Sequence, residues 1–108
     1  MPLAPGSIRH TVVFALSHAA GSPEEADFLA TAARLAEIPG VESFELLRET
    51  SPKNGYRHGI SMEFADAAGY EAYNGHPEHV RFVEERWVNE VEDFLEIDYA
   101  ALAGATPT

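Results

Sequence analysis

Two histidines, His76 and His79, stand three residues apart in the segment YNGHPEHVRF, which begins with Tyr73. Asp98 follows in the C-terminal part of the chain. An imidazole takes or gives a proton near neutral pH, and a carboxylate on one ring nitrogen fixes the tautomer that leaves the other nitrogen free. A phenol can donate a hydrogen bond to a substrate oxygen. His79, Asp98 and Tyr73 are therefore candidates for proton transfer on a carbonyl compound.

The same residues also suit purely structural roles. A pair between His79 and Asp98 would join a helix to a strand, and such pairs perturb pKa values without doing any chemistry. The ring of Tyr73 would pack at the edge of the core with its hydroxyl in water. The residue types alone leave both interpretations open.

A metal site is a third interpretation of the two histidines. His76 and His79 are about one helical turn apart and could share an ion with Glu96 or Asp98. However, His76 precedes Pro77, which suits a backbone role at the start of a helix. The chain has no cysteine, so thiolate ligands and a cysteine nucleophile are excluded. We predict that the protein holds neither a metal ion nor a cofactor.

The composition indicates a single globular domain. The chain has 108 residues, of which 45% are hydrophobic. Its formal charge of −11 would repel nucleic-acid phosphates, so we exclude a nucleic-acid partner. No segment resembles a signal peptide or reaches membrane-spanning length, and we therefore expect a cytoplasmic protein with no membrane contact.

Four segments have the composition of β-strands. They are rich in β-branched and aromatic residues and alternate in polarity, and they run over residues 8–17, 41–49, 56–65 and 93–100. Two helical regions lie between them. The first begins at Ser22 and Pro23, a good cap followed by a good first residue, and ends at residues 38–40. The second begins at Asp66, breaks at Gly75 and restarts near Pro77.

The order β-α-β-β-α-β predicts an α+β, ferredoxin-like fold with a four-stranded antiparallel sheet. Helices would cover one face of this sheet. The other face carries Val13, Ala15 and Leu47 and is too apolar for open water, so we predict a homodimer formed face to face. We expect residues 1–7 to be a flexible N-terminus, residues 8–100 the domain and residues 101–108 a flexible tail.

The helix-facing layer of the sheet carries unusual polar residues. Alternation places His10 and His58 there, together with Glu96 and Asp98. A buried polar group must find a partner or lower stability. We expect His79 to bond to Asp98, and His58 to bond to Tyr73 or His10. His18 lies in a loop, where we expect it to be solvated.

Several segments together resemble the stress-responsive A/B barrel (Dabb) family. They are IRHTVVFAL, IPGVESFELLRETSPKNGY, HGISMEF and AYNGHPEHVRFVEE with DFLEIDY, and they extend over residues 8–99. This resemblance implies ferredoxin-like dimers whose paired sheets form an α/β barrel. It also agrees with the fold that the strand and helix patterns predict.

The resemblance implies a site as well as a fold. The family includes a plant polyketide cyclase, which forms olivetolic acid by a cofactor-free aldol cyclisation, and a plant hydroxynitrile lyase. By similarity to such cyclases, His79 would be the base, Tyr73 would assist it and Asp98 would orient it. The resemblance and the predicted layer together suggest six substrate-binding residues: His10, His58, Phe14, Phe28, Phe82 and Glu96.

We therefore expect a cofactor-independent enzyme that acts on a small carbonyl or polyketide-like substrate as a cyclase, lyase or isomerase. Glu96 stands where the cyclase has an aliphatic side chain, which makes the expected pocket more polar and disfavours a long alkyl chain. The alternative is a stress-responsive or small-ligand-binding dimer without enzymatic activity, in which the histidines are structural.

Overall fold

Four antiparallel strands form one sheet in the computed structural model, which describes residues 2–102. They are β1 (Ile8–Leu16), β2 (Glu42–Arg48), β3 (His58–Phe64) and β4 (Val91–Ala100). The order across the sheet is β2-β3-β1-β4, with β1 paired to both β3 and β4. The predicted ferredoxin-like arrangement is confirmed, and the observed strand limits differ from the predicted ones by two residues or fewer.

Helices cover one face of the sheet and connect its strands. The first, α1 (Pro23–Ala33), continues into a 3₁₀ turn, Arg34–Glu37. Between β3 and β4 lie α2 (Ala67–Gly75), α3 (Pro77–Phe82), a π-helical segment (Val83–Trp87) and the short α4 (Val88–Glu90). The second helical region restarts at Pro77, as the sequence predicts, but it is not α-helical throughout, because its hydrogen-bond ladder widens at Val83.

Side-chain caps fix the helix starts, as the sequence predicts. The hydroxyl of Ser22 accepts a hydrogen bond from the Glu25 N–H at 3.1 Å, and the Asp66 carboxylate accepts one from Gly69 at 2.7 Å. His76 caps α3, because its Nδ1 accepts from the Glu78 N–H at 3.1 Å. These bonds satisfy amide groups that a helix start leaves without partners.

The register of the sheet determines which side chains meet on its helix-facing side. In the β1–β4 pair, His10 lies opposite Asp98 and Val12 lies opposite Glu96. In the β1–β3 pair, His10 lies opposite Met62. Because directly opposed residues on one face have neighbouring Cβ atoms, the side chain of His10 is set between β3 and β4 at the level of Asp98.

The hydrophobic core lies between the helices and the sheet. Its largest fully buried side chains belong to Phe14, Phe28, Phe64, Met62 and Tyr73. The aromatic rings meet in tilted pairs, such as Phe14 and Phe28 with centroids 5.9 Å apart. This tight cluster anchors α1 and α2 on β1 and β3.

The opposite face of the sheet is apolar and open in the single chain. Leu47, Leu95, Ile97 and Tyr99 are all exposed there, with Leu95 at 49% and Tyr99 at 51%. The predicted tail, residues 101–108, lies mostly outside the described residues, so the predicted domain limits stay a prediction. Within residues 2–102, no helix has the length and apolarity needed to cross a membrane.

Candidate active site

A cavity of about 300 Å³ lies between the second helical region and the sheet. Val88 and Phe94, whose side chains are exposed, form part of its lining. The lining is mainly apolar, with a few polar groups directed inward: His10, Val12, Leu35, Ile60, Met62, Tyr73, Asn74, His79, Phe82, Val83, Trp87, Val88, Phe94 and Glu96. This size and composition suit a small organic molecule.

The first turn of α3 brings His79 to the cavity. Its Nδ1 lies 3.1 Å from the backbone oxygen of Asn74. A carbonyl oxygen can only accept, so Nδ1 carries the proton and Nε2 of the neutral ring has a free lone pair. Burial lowers the pKa of His79, and the nearby His10 adds to this, while the Asn74 bond and Glu96 oppose it. The ring is therefore neutral at pH 7.

The predicted hydrogen bond between His79 and Asp98 is wrong. The Asp98 carboxylate instead accepts from His10 Nδ1 at 2.6 Å and from the Tyr70 hydroxyl at 2.8 Å. The physical reason is register, because Asp98 lies directly opposite His10 across the β1–β4 pair. The carboxylate whose charge acts on His79 belongs to Glu96.

Tyr70 completes a three-residue cluster that the sequence reasoning missed. Its hydroxyl lies 2.9 Å from His10 Nδ1 as well as close to Asp98. Burial and the bond to Asp98 raise the pKa of Tyr70, so its phenol stays protonated and acts as a donor. One signal was available: Tyr70 and Tyr73 are three apart in a helix and hence share a face.

Tyr73 is buried between the two histidines that line the cavity. Its ring centroid lies 4.4 Å from that of His79 and 6.3 Å from that of His10. Burial raises the pKa of Tyr73, and the charge of Glu96 adds to this. Among the described residues, no hydrogen-bond partner for its hydroxyl is found, so the neutral phenol is free to donate to a ligand.

The other predicted binding residues separate into two groups. His10, Phe82 and Glu96 line the cavity, whereas Phe14, Phe28 and His58 do not. The expected bond from His58 to Tyr73 or His10 is wrong. Its Nε2 lies 3.6 Å from a Glu25 oxygen and its ring stacks on Phe14. Burial lowers the pKa of His58, because Glu25 only partly offsets the loss of hydration.

The two histidines considered as a metal pair face different surroundings. His79 lines the cavity, while His76 caps α3 and lines a separate groove. A different set, His10, Glu96 and Asp98, has ligand atoms within 4.8 Å of one another. Two of these groups already bond to each other, since His10 Nδ1 donates to Asp98. A metal ion at this set would have to displace that bond.

Three solved structures place the fold among known proteins. A Dabb family protein from Mesorhizobium loti with a ferredoxin-like fold is 60% identical, with a TM-score of 0.89, over 90% of this chain and 98% of that one. A dimeric protein of unknown function with a ferredoxin-like fold from Bacteroides fragilis is 22% identical, with a TM-score of 0.68. The match covers 89% of this chain and 97% of that one. Hydroxynitrile lyase from Passiflora edulis is 19% identical, with a TM-score of 0.77. This match covers 93% of this chain and 97% of that one.

The last two similarities are low in identity and show a shared fold alone. No curated protein matches the sequence. The sequence profile of the stress responsive A/B barrel domain matches residues 8–101, which is nearly the whole chain. The chain therefore belongs to the stress responsive A/B barrel (Dabb) domain family.

Proposed function

We propose that this protein is a cofactor-independent enzyme that transfers protons on a small carbonyl compound bound in the cavity. The observation that carries the proposal is the state of His79. Its Nδ1–H is held by the Asn74 carbonyl, and a neutral ring nitrogen is left free in an apolar cavity. A histidine held in this way is prepared to act as a base.

The proposed reaction begins when His79 Nε2 removes a proton from the carbon next to a carbonyl group. The electron pair moves onto the carbonyl oxygen, and the Tyr73 hydroxyl donates a hydrogen bond to the enolate that forms. A well-placed base contributes a factor of about 10² to 10⁴ in rate. Asp98, the predicted orienting group, is replaced in this role by the backbone of Asn74.

The charges around the cavity favour a neutral substrate. Glu96 brings a carboxylate to the lining, and the chain as a whole carries a formal charge of −11. Both disfavour an anionic ligand. The cavity volume of about 300 Å³ is at the lower end of ligand pockets, which suits a small β-dicarbonyl or polyketide-like compound. The step fits a cyclisation of the olivetolic acid type, an isomerisation or a carbon–carbon cleavage.

A homodimer is part of the proposal. The open sheet face with Leu47, Leu95, Ile97 and Tyr99 is apolar, and a second copy of the same face would cover it. The protein of similar fold from Bacteroides fragilis is described as dimeric, which supports a dimer here. We expect light scattering to give twice the chain mass at micromolar concentration, and Leu95→Glu to shift the protein to monomers. A monomeric wild type would overturn the dimer.

The alternative function is binding without catalysis, and the mainly apolar lining of the cavity favours it. Deuterium exchange at the activated carbon of ethyl acetoacetate, followed by NMR, separates the two functions. We expect wild-type protein to accelerate exchange and His79→Gln to remove about 10² or more of that acceleration. Binding of the ester without faster exchange would support the alternative and overturn the enzyme.

A further inference from the structure

We infer that His10 is a second acid–base group of this cavity, positioned by Asp98 and Tyr70, and that it delivers a proton to the substrate's carbonyl oxygen while His79 takes one from carbon. The inference rests on the proposed function and deepens it. It adds a proton donor at the substrate oxygen, beside the hydrogen bond from Tyr73, in a cluster that is separate from His79.

The burial of His10 is the first observation. It is 6% exposed, and among the described residues it is the buried polar side chain of a core that is otherwise hydrophobic. An aliphatic residue at this position would pack without any polar group to satisfy. The side chain nevertheless faces the cavity. A histidine at this position needs a hydrogen-bond partner, and packing alone does not explain its presence.

The contacts of its two ring nitrogens are the second observation. Nδ1 lies 2.6 Å from Asp98 Oδ1, and a carboxylate can only accept, so Nδ1 carries a proton. No hydrogen bond to Nε2 is found within residues 2–102, although the ring lines the cavity. Nε2 is therefore the nitrogen offered to a ligand.

The state of Asp98 is the third observation. The carboxylate accepts bonds from His10 and from the neutral Tyr70 hydroxyl. In the described part of the chain it forms no ion pair with lysine or arginine. Its negative charge is thus available to stabilise positive charge on His10, as the aspartate does for the histidine of a catalytic triad. Tyr70 holds the second carboxylate oxygen and so fixes the orientation.

The proton balance of the step is simple. The proposed step requires a neutral His79 and a His10 imidazolium with protons on both nitrogens. His79 Nε2 takes the proton from carbon, the C–H electron pair forms the carbon–carbon double bond, and the carbonyl oxygen takes the proton from His10 Nε2. The enol leaves His79 charged and His10 neutral. Reversal, or exchange with water, restores both rings without any oxidant.

Several groups face His10. Asp98 and Glu96 approach from β4, Tyr70 and Tyr73 from α2, and His79 from α3, while Met62 on β3 is not titratable. The two carboxylates attract the positive charge that a proton donor at this place must carry.

The test uses deuterium exchange of ethyl acetoacetate with the full chain, measured over a range of ester concentrations. His10→Gln should lower kcat by about 10² with little change in KM, because a proton donor acts in the transition state rather than in binding. Asp98→Asn and Tyr70→Phe should also lower kcat with little change in KM, by smaller factors, since each removes a contact that positions His10. His18→Gln is the matched control, because His18 bonds to Glu90 at 2.7 Å away from the cavity, and it should keep the wild-type kcat and KM.

The outcomes separate this inference from the proposed function. No accelerated exchange by the wild type would overturn the proposed function itself. A wild type that accelerates exchange, together with a His10→Gln variant of equal kcat, would overturn the role of His10 and leave His79 as the base. If His10→Gln does not fold, Asp98→Asn and Tyr70→Phe decide, and an unchanged kcat in both contradicts the inference.

Discussion

Two histidine–carboxylate pairs of nearly equal length occupy different regions of the molecule. His10 Nδ1 lies 2.6 Å from Asp98 at the cavity, and His18 Nε2 lies 2.7 Å from Glu90, where the loop after β1 meets α4. The sequence suggested a solvated His18, and this expectation is wrong. By residue type and distance the two pairs are alike, so their surroundings must separate their roles.

The surroundings differ in their positive charge. Arg86 donates to both oxygens of Glu90 and also to Asp27 at 2.8 Å. This guanidinium lowers the pKa of Glu90 more than His18 does. Asp98 has a neutral phenol, Tyr70, in the corresponding position. The charge of Glu90 is therefore balanced by an arginine in a network that joins α1 to α4, whereas the charge of Asp98 is left for His10.

A short histidine–carboxylate distance therefore does not by itself indicate chemistry. A carboxylate neutralised by arginine is part of the structure, while one without a cation next to a cavity can assist proton transfer. Replacing each carboxylate by its amide tests this distinction, because Asp98→Asn and Glu90→Gln change charge with almost no change in shape.

The largest difference is expected in catalysis. We expect Asp98→Asn to slow deuterium exchange of ethyl acetoacetate at neutral pH by about tenfold or more, since the amide stabilises the imidazolium of His10 poorly. Glu90→Gln should leave the rate within about twofold. The measurement is NMR of the ester in D₂O. Equal losses in the two variants would mean that both pairs act only through stability.

The second difference is expected in stability, where Glu90→Gln should have the larger effect. Glu90→Gln should lower the free energy of unfolding by roughly 1–2 kcal/mol, because Arg86 and His18 lose a charged acceptor in a partly buried network. Asp98→Asn should change it by about 0.5 kcal/mol or less, as expected of a group held for function. Urea unfolding with equal m-values gives both numbers. A larger loss for Asp98→Asn would assign that pair to structure.

The pH dependence of stability gives a smaller effect, which involves the two histidines whose pKa is lowered by burial, His58 and His79. Burial lowers the pKa of His58 and of His79 below the ordinary value of 6.5. As the pH falls, these histidines take up protons in the unfolded chain before they do so in the folded one. Their contribution to the free energy of unfolding is therefore complete above pH 6.5 and is lost as the pH falls from there towards the folded pKa values. Charged groups facing His58 are Glu25, Arg57 and Arg48, and those facing His79 are His10 and Glu96.

Thermal unfolding between pH 5 and pH 8 measures this loss. His79→Gln should flatten the curve below pH 6.5, because it removes one of the two groups that resist protonation. A melting temperature that rises as the pH falls through this range would contradict the assigned direction.

The helical part of the candidate site could be predicted from the sequence. The break at Gly75, the His76 cap and the entry of His79 into the first turn of α3 all follow from local rules of helix initiation. The π-helical segment that brings Trp87 to the cavity could not be predicted. It depends on packing against the core, where Trp87 meets Phe14 and Phe94.

The sequence by itself determined the order of elements, the helix caps, the family and the presence of polar residues on the helix-facing layer. These follow from short-range periodicity and from residues within a few positions of one another. Only the tertiary structure decided that Asp98 bonds to His10 and Tyr70 rather than to His79. The physical reason is that strand register is fixed by pairing over long separations, and a slip of one residue would turn Asp98 to the opposite face.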